Sequence, residues 1–465
     1  MSIFGSPRGV GGAAGSRWTA LTGVAILAIV ASACSSAATP APATQAPASA
    51  AAGSQAPAAS EAPASQAAGS LTIGSNNSDA VPKKALQDIV DAFTKETGVT
   101  VKINTIDHTT FQNQLSSYLQ GTPEDVITWF SGHRMRFFAN QGLFTPIDDV
   151  WAKVGSNYTD AMKTASTNDD GHQYLVPFDT YAWTVYYRKS VWDAKGYQVP
   201  KTLADMITLA KKMQTDGLVP IGLGDKDGWP AMGHFDILDL RTNGYQFHID
   251  LMNGKAKWTD PKVKAVFEVW KTLLPYYQTG AAGRIWQDAC AGLVQKKTGM
   301  MLQPQCAQTF AAASAADLAD LAFFPWPAHG TPSDAENALD APIDGYMITA
   351  KSPTLNADLA NAKAFLAFLA KGSTQLTYAK SDPSLIGTAK DVDTSGYTPL
   401  QQAQAKVIGD AQKLTQFLDR DARSDLAGPN GMQAFLVNFL QNPNQDLDAY
   451  LKKIQDFVDS LGPET

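Results

Sequence analysis

From Leu71 to Phe130 the chain reads LTIGSNNSDAVPKKALQDIVDAFTKETGVTVKINTIDHTTFQNQLSSYLQGTPEDVITWF. Leu71-Thr72-Ile73-Gly74 predicts a strand that runs into the polar loop Ser75-Asn76-Asn77-Ser78. A helix opens near Pro82, a residue suited to a first helical turn. Leu86, Ile89, Val90 and Phe93 then fall on one face at i, i+3, i+4 and i+7. Gly98 ends that helix, and Val99-Thr100-Val101-Lys102-Ile103 alternates as a second strand does. Phe111, Leu115, Tyr118 and Leu119 mark another helix, and Asp125-Val126-Ile127-Thr128-Trp129 a third strand. Strand, helix, strand, helix, strand in that order predicts a parallel α/β sheet with ligand loops at the strands' C-terminal ends.

Towards the C-terminus the pattern restarts. Trp183-Thr184-Val185-Tyr186-Tyr187 reads as a strand, and Thr202 caps a helix carrying Leu203, Met206, Ile207, Ala210 and Met213. Val219 to Leu223 forms another short strand, and a helix over 261–274 puts Val263, Val266, Phe267, Trp270 and Leu273 on one face. Two α/β units without a low-complexity break predict a two-lobed molecule. No fixed-period repeat is present.

Towards the N-terminus, residues 1–33 have the layout of a secretory signal peptide. Arg8 and Arg17 are followed by the apolar run Ala20 to Val30 and by the small residues Ala31-Ser32-Ala33. That apolar stretch is short of the roughly 20 residues a membrane-crossing helix needs. Residues 34–70 are almost entirely Ala, Ser, Pro, Thr, Gln and Gly. They predict a disordered tether, about 110 Å long if extended at ~3.1 Å per residue.

At 465 residues the chain is longer than one core usually requires. Its formal net charge of −7, from 37 Lys+Arg against 44 Asp+Glu, argues against a nucleic-acid partner. The globular part has no G-x-S-x-G elbow, H-E-x-x-H pair or Walker A loop. Gly222 to Gly228 (GLGDKDG) looks like a dinucleotide loop, but acidic residues stand where a pyrophosphate would approach. The six histidines lack a metal-ligand spacing. Asn168-Asp169-Asp170-Gly171 lacks EF-hand spacing and reads as a turn. No cofactor or metal is therefore expected. A two-carboxylate hydrolase remains an alternative, because no acidic pair stands out among the 44 Asp+Glu and none is excluded.

Three cysteines are present. With Cys34 set aside, Cys290 and Cys306 are expected to pair in an exported protein, free buried thiols being the alternative. The aromatic residues are placed more informatively. Trp129 ends a strand, Tyr181 and Trp183 sit where the lobes change, and Trp229 follows an Asp/Lys/Gly loop. Such rings are candidate platforms for sugar C–H faces. Trp270, on an apolar helix stripe, is expected in the core.

Several stretches resemble one family. Pro123-Glu124-Asp125-Val126, Gln141 to Asp148 (QGLFTPID), Pro177 to Lys189 (PFDTYAWTVYYRK), Pro200-Lys201-Thr202 with Asp205, and Asp216 to Ile221 (DGLVPI) occur in its order. Lys297 to Met301 (KTGMM), Ala341 to Tyr346 (APIDGY) and Gln416 to Asp421 (QFLDRD) follow. The chain is similar to the extracellular solute-binding proteins of bacterial ATP-driven carbohydrate importers, the group that includes maltose-binding protein. It departs from them at Gln303-Pro304-Gln305-Cys306, which replaces a Gly and an aromatic residue. Ala31-Ser32-Ala33-Cys34 likewise resembles a lipobox, with Ala31 where Leu is usual.

The resemblance implies a periplasmic-binding-protein fold of two lobes, each a mostly parallel sheet flanked by helices, with ligand held in the cleft between them. Residues 71–180 with 341–372 would form one lobe and 181–340 with 373–465 the other, joined by crossings near 180 and 340. It implies a monomeric receptor, lipid-anchored at Cys34 on the outer face of the cytoplasmic membrane or periplasmic, that passes a sugar to ABC permease subunits. A same-fold receptor for a non-sugar solute is the further alternative. The expected ring faces are Trp129, Tyr181, Trp183 and Trp229. The expected polar contacts are Arg134, Asp225, Lys226, Asp236, Gln303 and Asp344, with Asn76 and Asn77 at the first strand's end. The segment containing Cys290 and Cys306 is expected beside the cleft.

Overall fold

The first strand, Ser70–Ser75, pairs in parallel with Thr100–Thr105 on one side and with Val126–Phe130 on the other. The computed structural model describes residues 69–464; the expected signal peptide, Cys34 and all but the last two residues of the expected tether lie outside the described residues. Between the strands, the helix Ala80–Thr97 buries Leu86, Ile89, Val90 and Phe93 and ends at Gly98, whose φ of 75° is left-handed. Glycine enters that region without the steric cost a Cβ imposes. The helix His108–Gln120 starts at Asp107, whose side chain accepts the Thr110 N–H.

Three more strands complete this six-stranded sheet, in the order Ile386–Gly387, Val176–Thr180, Ile343–Ile348, Val126–Phe130, Ser70–Ser75, Thr100–Thr105. Ile343–Ile348 runs antiparallel to both of its neighbours, and so does Ile386–Gly387 to Val176–Thr180. A second sheet has the order Val219–Ile221, Thr298–Leu302, Val185–Arg188, Leu321–Phe324. Only its first pair is parallel. The fold is α/β as expected, but both sheets are mixed and not mostly parallel. The chain returns between the sheets, and each return delivers a strand in the reverse direction.

Two stretches, 181–184 and 338–342, pass from one sheet to the other, and 413–421 runs beside them. Ala338–Asp340 pairs in parallel with Lys413–Thr415. The Trp183 N–H donates to the Asp340 carbonyl at 2.9 Å and the Ala341 N–H to the Thr415 carbonyl at 3.1 Å. The division expected at residue 372 is corrected. Gly372–Ser381 packs on Ala80–Thr97, and Ile386–Gly387 joins the six-stranded sheet. Periodicity reports that a helix is amphipathic and not which sheet its apolar face will cover.

In the second part, Thr202 and Asp205 form a reciprocal capping box at the start of Leu203–Thr215. Pro261–Leu273 buries Val263, Val266, Phe267, Trp270 and Leu273. The helix Trp229–Asn243 is buried from Pro230 to Arg241, so it passes through the interior and does not lie over it. Its Gly233 lies against the Trp183 ring: an added Cβ would come within 2.3 Å of that ring. No larger residue fits there without moving the indole.

Cys290 and Cys306 form a disulfide with Cα atoms 5.5 Å apart, 16 residues apart in sequence. The bridge ties Trp286–Val294 to Cys306–Ala313. Opening it by replacing both cysteines with serine is expected to reduce stability by about 3 kcal/mol through the freed loop entropy. Guanidinium unfolding of the two forms at one pH measures the difference.

Candidate functional site

Strand ends of the six-stranded sheet face loops and helix starts of the second part across a cleft of about 320 Å³. The six-stranded sheet contributes Asn76, Thr128, Trp129, Asp179, Asp344 and Tyr346. The opposite wall carries Asp227, Trp229, Trp286, Gln287, Gln305 and Gln308. Tyr181, Phe417, Asp419 and Arg420 come from the crossing stretches, and Tyr378 and Asp382 from the helix after the return.

Several of these groups are held from behind. The Thr128 hydroxyl accepts the Asn76 N–H at 3.0 Å and donates to Asn76 Oδ1 at 2.8 Å, which fixes that amide. Asn77 Nδ2 donates to the Tyr378 hydroxyl at 3.1 Å. Trp129 stacks on Phe130, with ring centres 4.5 Å apart. Arg420 pairs with Asp344, and its guanidinium lies over the Phe130 ring at 3.9 Å. Burial alone would lower the Arg420 pKa; Asp344 and Tyr181 reverse that and raise it, so the cation persists.

Phe417 is the strained point. Its φ of 59° and ψ of 157° lie where glycine is at home, a conformation costing about 1–3 kcal/mol for other residues. Two carboxylates hold it, the buried Asp236 and the half-buried Asp421. Asp236 accepts the Leu418 N–H at 2.6 Å, and Asp421 accepts the Gln416 N–H at 3.0 Å. The Gln416 carbonyl oxygen of the side chain accepts from Ser131 Oγ and from the Ile343 N–H, each at 2.8 Å.

Of the residues expected at the site, the cleft brings together Asn76, Asn77, Trp129, Tyr181, Trp229 and Asp344. The others lie elsewhere. Trp183 is fully buried and backs Trp229 edge-on, ring centres 6.0 Å apart, so it positions a platform without being one. Arg134 lies behind the wall, donating to Asp419 at 3.1 Å and to Gln112 at 2.7 Å. Asp225 is buried and accepts the Ala231 N–H at 2.8 Å, which caps the helix that presents Trp229. Lys226 is exposed on that loop and does not line the cleft, although its neighbour Asp227 does. Asp236 supports Leu418 and does not line the cleft. Gln303 is buried and donates to Gln305 Oε1 at 2.8 Å, orienting a residue that does line it.

Sequence reasoning missed Asp179, Trp286, Gln305, Asp382, Phe417 and Arg420. Asp179 offered one signal, a carboxylate directly after the apolar run Val176-Pro177-Phe178. Arg420 lies within QFLDRD, one of the stretches that carry the resemblance. The disulfide's two helices supply Trp286 and Gln287 on one side and Gln308 on the other, with Gln305 at the second helix's start.

Burial, then Asp344 and Asp382, push the Asp179 carboxyl well above the usual carboxylate range, while Arg420 pulls it down. Burial also pushes the Asp382 carboxyl up to about 6, against hydrogen bonds from Ser384 and Gln308. Tyr181 is raised well above its ordinary value by burial, so its phenol stays neutral.

This arrangement of two sheets, three side-by-side stretches and one cleft defines a two-lobed solute receptor. Residues 77–375 match the family of bacterial extracellular solute-binding proteins, and the chain belongs to that family. Among solved structures it is similar to the bacterial solute receptor AcbH, with 44% identity, a TM-score of 0.80, and coverage of 84% of this chain and 99% of that one. AcbH has an exclusive substrate preference for β-D-galactopyranose. The chain is 24% identical over 394 residues to the alpha-glucosides-binding periplasmic protein AglE of Rhizobium meliloti, covering 79% of this chain and 82% of that one. It is 27% identical over 302 residues to an ABC transporter extracellular-binding protein of Pyrococcus horikoshii, covering 64% of this chain and spanning 65% of that relative's length.

Two outcomes follow from the geometry. Arg420→Ala should destabilise the protein by roughly 3 kcal/mol, the low end for a broken buried pair because Asp344 still reaches the cleft; chemical denaturation measures it. The folded-state pKa of Asp382 lies above its ordinary 3.8. The native protein therefore holds an extra proton between about pH 4 and 6, and this group's stabilising contribution, intact below that window, is lost as pH rises through it. Melting curves across the window should show a shallower decline for Asp382→Asn than for the wild type.

Proposed function

We propose that this protein is an exported sugar receptor that captures a monosaccharide such as β-D-galactopyranose between its lobes and passes it to an ABC permease. The observation that carries this reading is the cleft's composition: ring faces at Tyr181, Trp229 and Trp286 beside acceptors and donors at Asn76, Asp344, Gln305 and Arg420. Flat apolar faces suit sugar C–H surfaces, and fixed polar groups suit hydroxyls. A volume of about 320 Å³ stands at the low end of the range for small-molecule sites, about 300–1,000 Å³, and favours a small ligand. The preference of AcbH for galactose supports the same choice.

The ligand acts by shifting a population: contacts made to both walls at once favour the closed arrangement, which the permease then recognises. Trp229 on one wall and Asp344 on the other supply such contacts. No bond of the ligand need be broken. The alternative is an exported hydrolase using two of the cleft's carboxylates, and an assay for reducing-end release from oligosaccharides separates the two. Export and acylation at Cys34 complete the proposal, supported by the small residues before that cysteine. Mass spectrometry of the mature N-terminus tests it, and an unmodified residue upstream of Cys34 would sink it.

Calorimetry should show saturable binding of β-D-galactose, and at 100 Kd the sugar should stabilise the protein by about 2.7 kcal/mol. Trp229→Ala should weaken binding about tenfold, since a lost stacking face costs about 1.4 kcal/mol. Lys226→Ala should leave affinity within about twofold, because an exposed side chain outside the cleft contributes little.

A further inference from the structure

Asp179 is 7% exposed and lines the cleft, and its Oδ1 is buried without a hydrogen-bond partner. Native proteins rarely leave a buried carboxylate oxygen unpaired, and each instance calls for a reason. The register explains why nothing in the protein reaches it. Asp344 stands opposite Asp179 on one neighbouring strand and Gly387 on the other. Asp344 is already committed to Arg420, and Gly387 has no side chain to offer. A side chain at 387 could not fill the gap, since an added Cβ would come within 2.7 Å of Gln375 Oε1.

Trp129, two strands away, does not pair with Asp179: Trp129 stands opposite Gly345, one position off the Asp344 row, and packs on Phe111 and Phe138, so its indole points to the other face of the sheet. A ligand hydroxyl, which can donate once, satisfies the Asp179 oxygen.

Resting on the reading of the cleft as a sugar site, we infer that Asp179 Oδ1 is a specificity-determining contact for a ligand hydroxyl, whose O–H donates to it. Sugars lacking a hydroxyl at that pole leave the carboxylate unpaired and are rejected. The nearest charged groups, Asp344, Asp382 and Arg420, are each engaged with a protein partner and set the field around Asp179.

The test uses the whole protein and the near-isosteric variant Asp179→Asn, with β-D-galactose as the probe. Calorimetry should give at least a tenfold loss of affinity for Asp179→Asn. The ligand-free melting temperature of Asp179→Asn at pH 8 should hold or rise, because a carboxylate kept for a ligand is a cost to the empty protein. Affinity within about twofold of wild type in Asp179→Asn overturns the inference. So does a ligand-free melting temperature lowered by several degrees, the mark of a structural carboxylate. If the wild-type protein binds no galactose, the sugar assignment falls by itself, and the ligand-free melting temperatures still decide for or against Asp179.

Discussion

A guanidinium withdrawn from water must find anions and ring faces that replace its hydration, or it will not stay buried. Arg420 meets that requirement at the junction of the two sheets. Asp344 and Phe130 are register partners on adjacent strands, and the Arg420 side chain touches both. One charge thereby fastens the stretch 413–421 to the six-stranded sheet. The same stretch is fastened to the other lobe by the Leu418 N–H on Asp236, which belongs to the interior helix Trp229–Asn243. Between these two anchors Phe417 has little freedom, and its unusual backbone follows from being held at both sides.

The aromatic wall is built in depth in the same way. Trp183 lies on Gly233, Trp229 meets Trp183 edge-on, and Trp286 meets Trp229 in turn, ring centres 6.4 Å apart. The outer rings can present flat faces because the inner one cannot move. Asp225, capping the helix that carries Trp229, and the Cys290–Cys306 bridge, behind Trp286, fix the approach of each platform from its own backbone. Rigidity at the walls and bending between them are separate properties of separate residues.

The sequence revealed what is local. Leu86, Ile89, Val90 and Phe93 declare a helix because their spacing is a property of one element, and Thr202 declares a cap for the same reason. It revealed Trp129, Tyr181 and Trp229 as cleft residues because strand ends and glycine turns are where an α/β fold places its ligand loops. It could not place Trp183, whose burial is set by Gly233, fifty residues away. Asp225, Asp236 and Gln303 are polar residues near the cleft in sequence logic, but each is consumed by a backbone or side-chain partner that only the fold supplies. Arg420 and Asp382 were invisible for the converse reason: Arg420 meets Asp344 and Phe130 from two strands, and Asp382 meets Gln308 from a distant helix. The direction of Ile343–Ile348 also escaped, since alternation is the same for a strand read either way.

The three stretches between the lobes are hydrogen-bonded edge to edge, and this restricts how the lobes can travel. A single connecting chain works like a ball joint and permits swivel in any sense. Three chains lying abreast work like the leaves of a door hinge: they flex together about one line, while twist or sideways slip would stretch one chain as it slackened another. Opening and shutting therefore retrace one arc, and the two walls meet in the same alignment on every stroke.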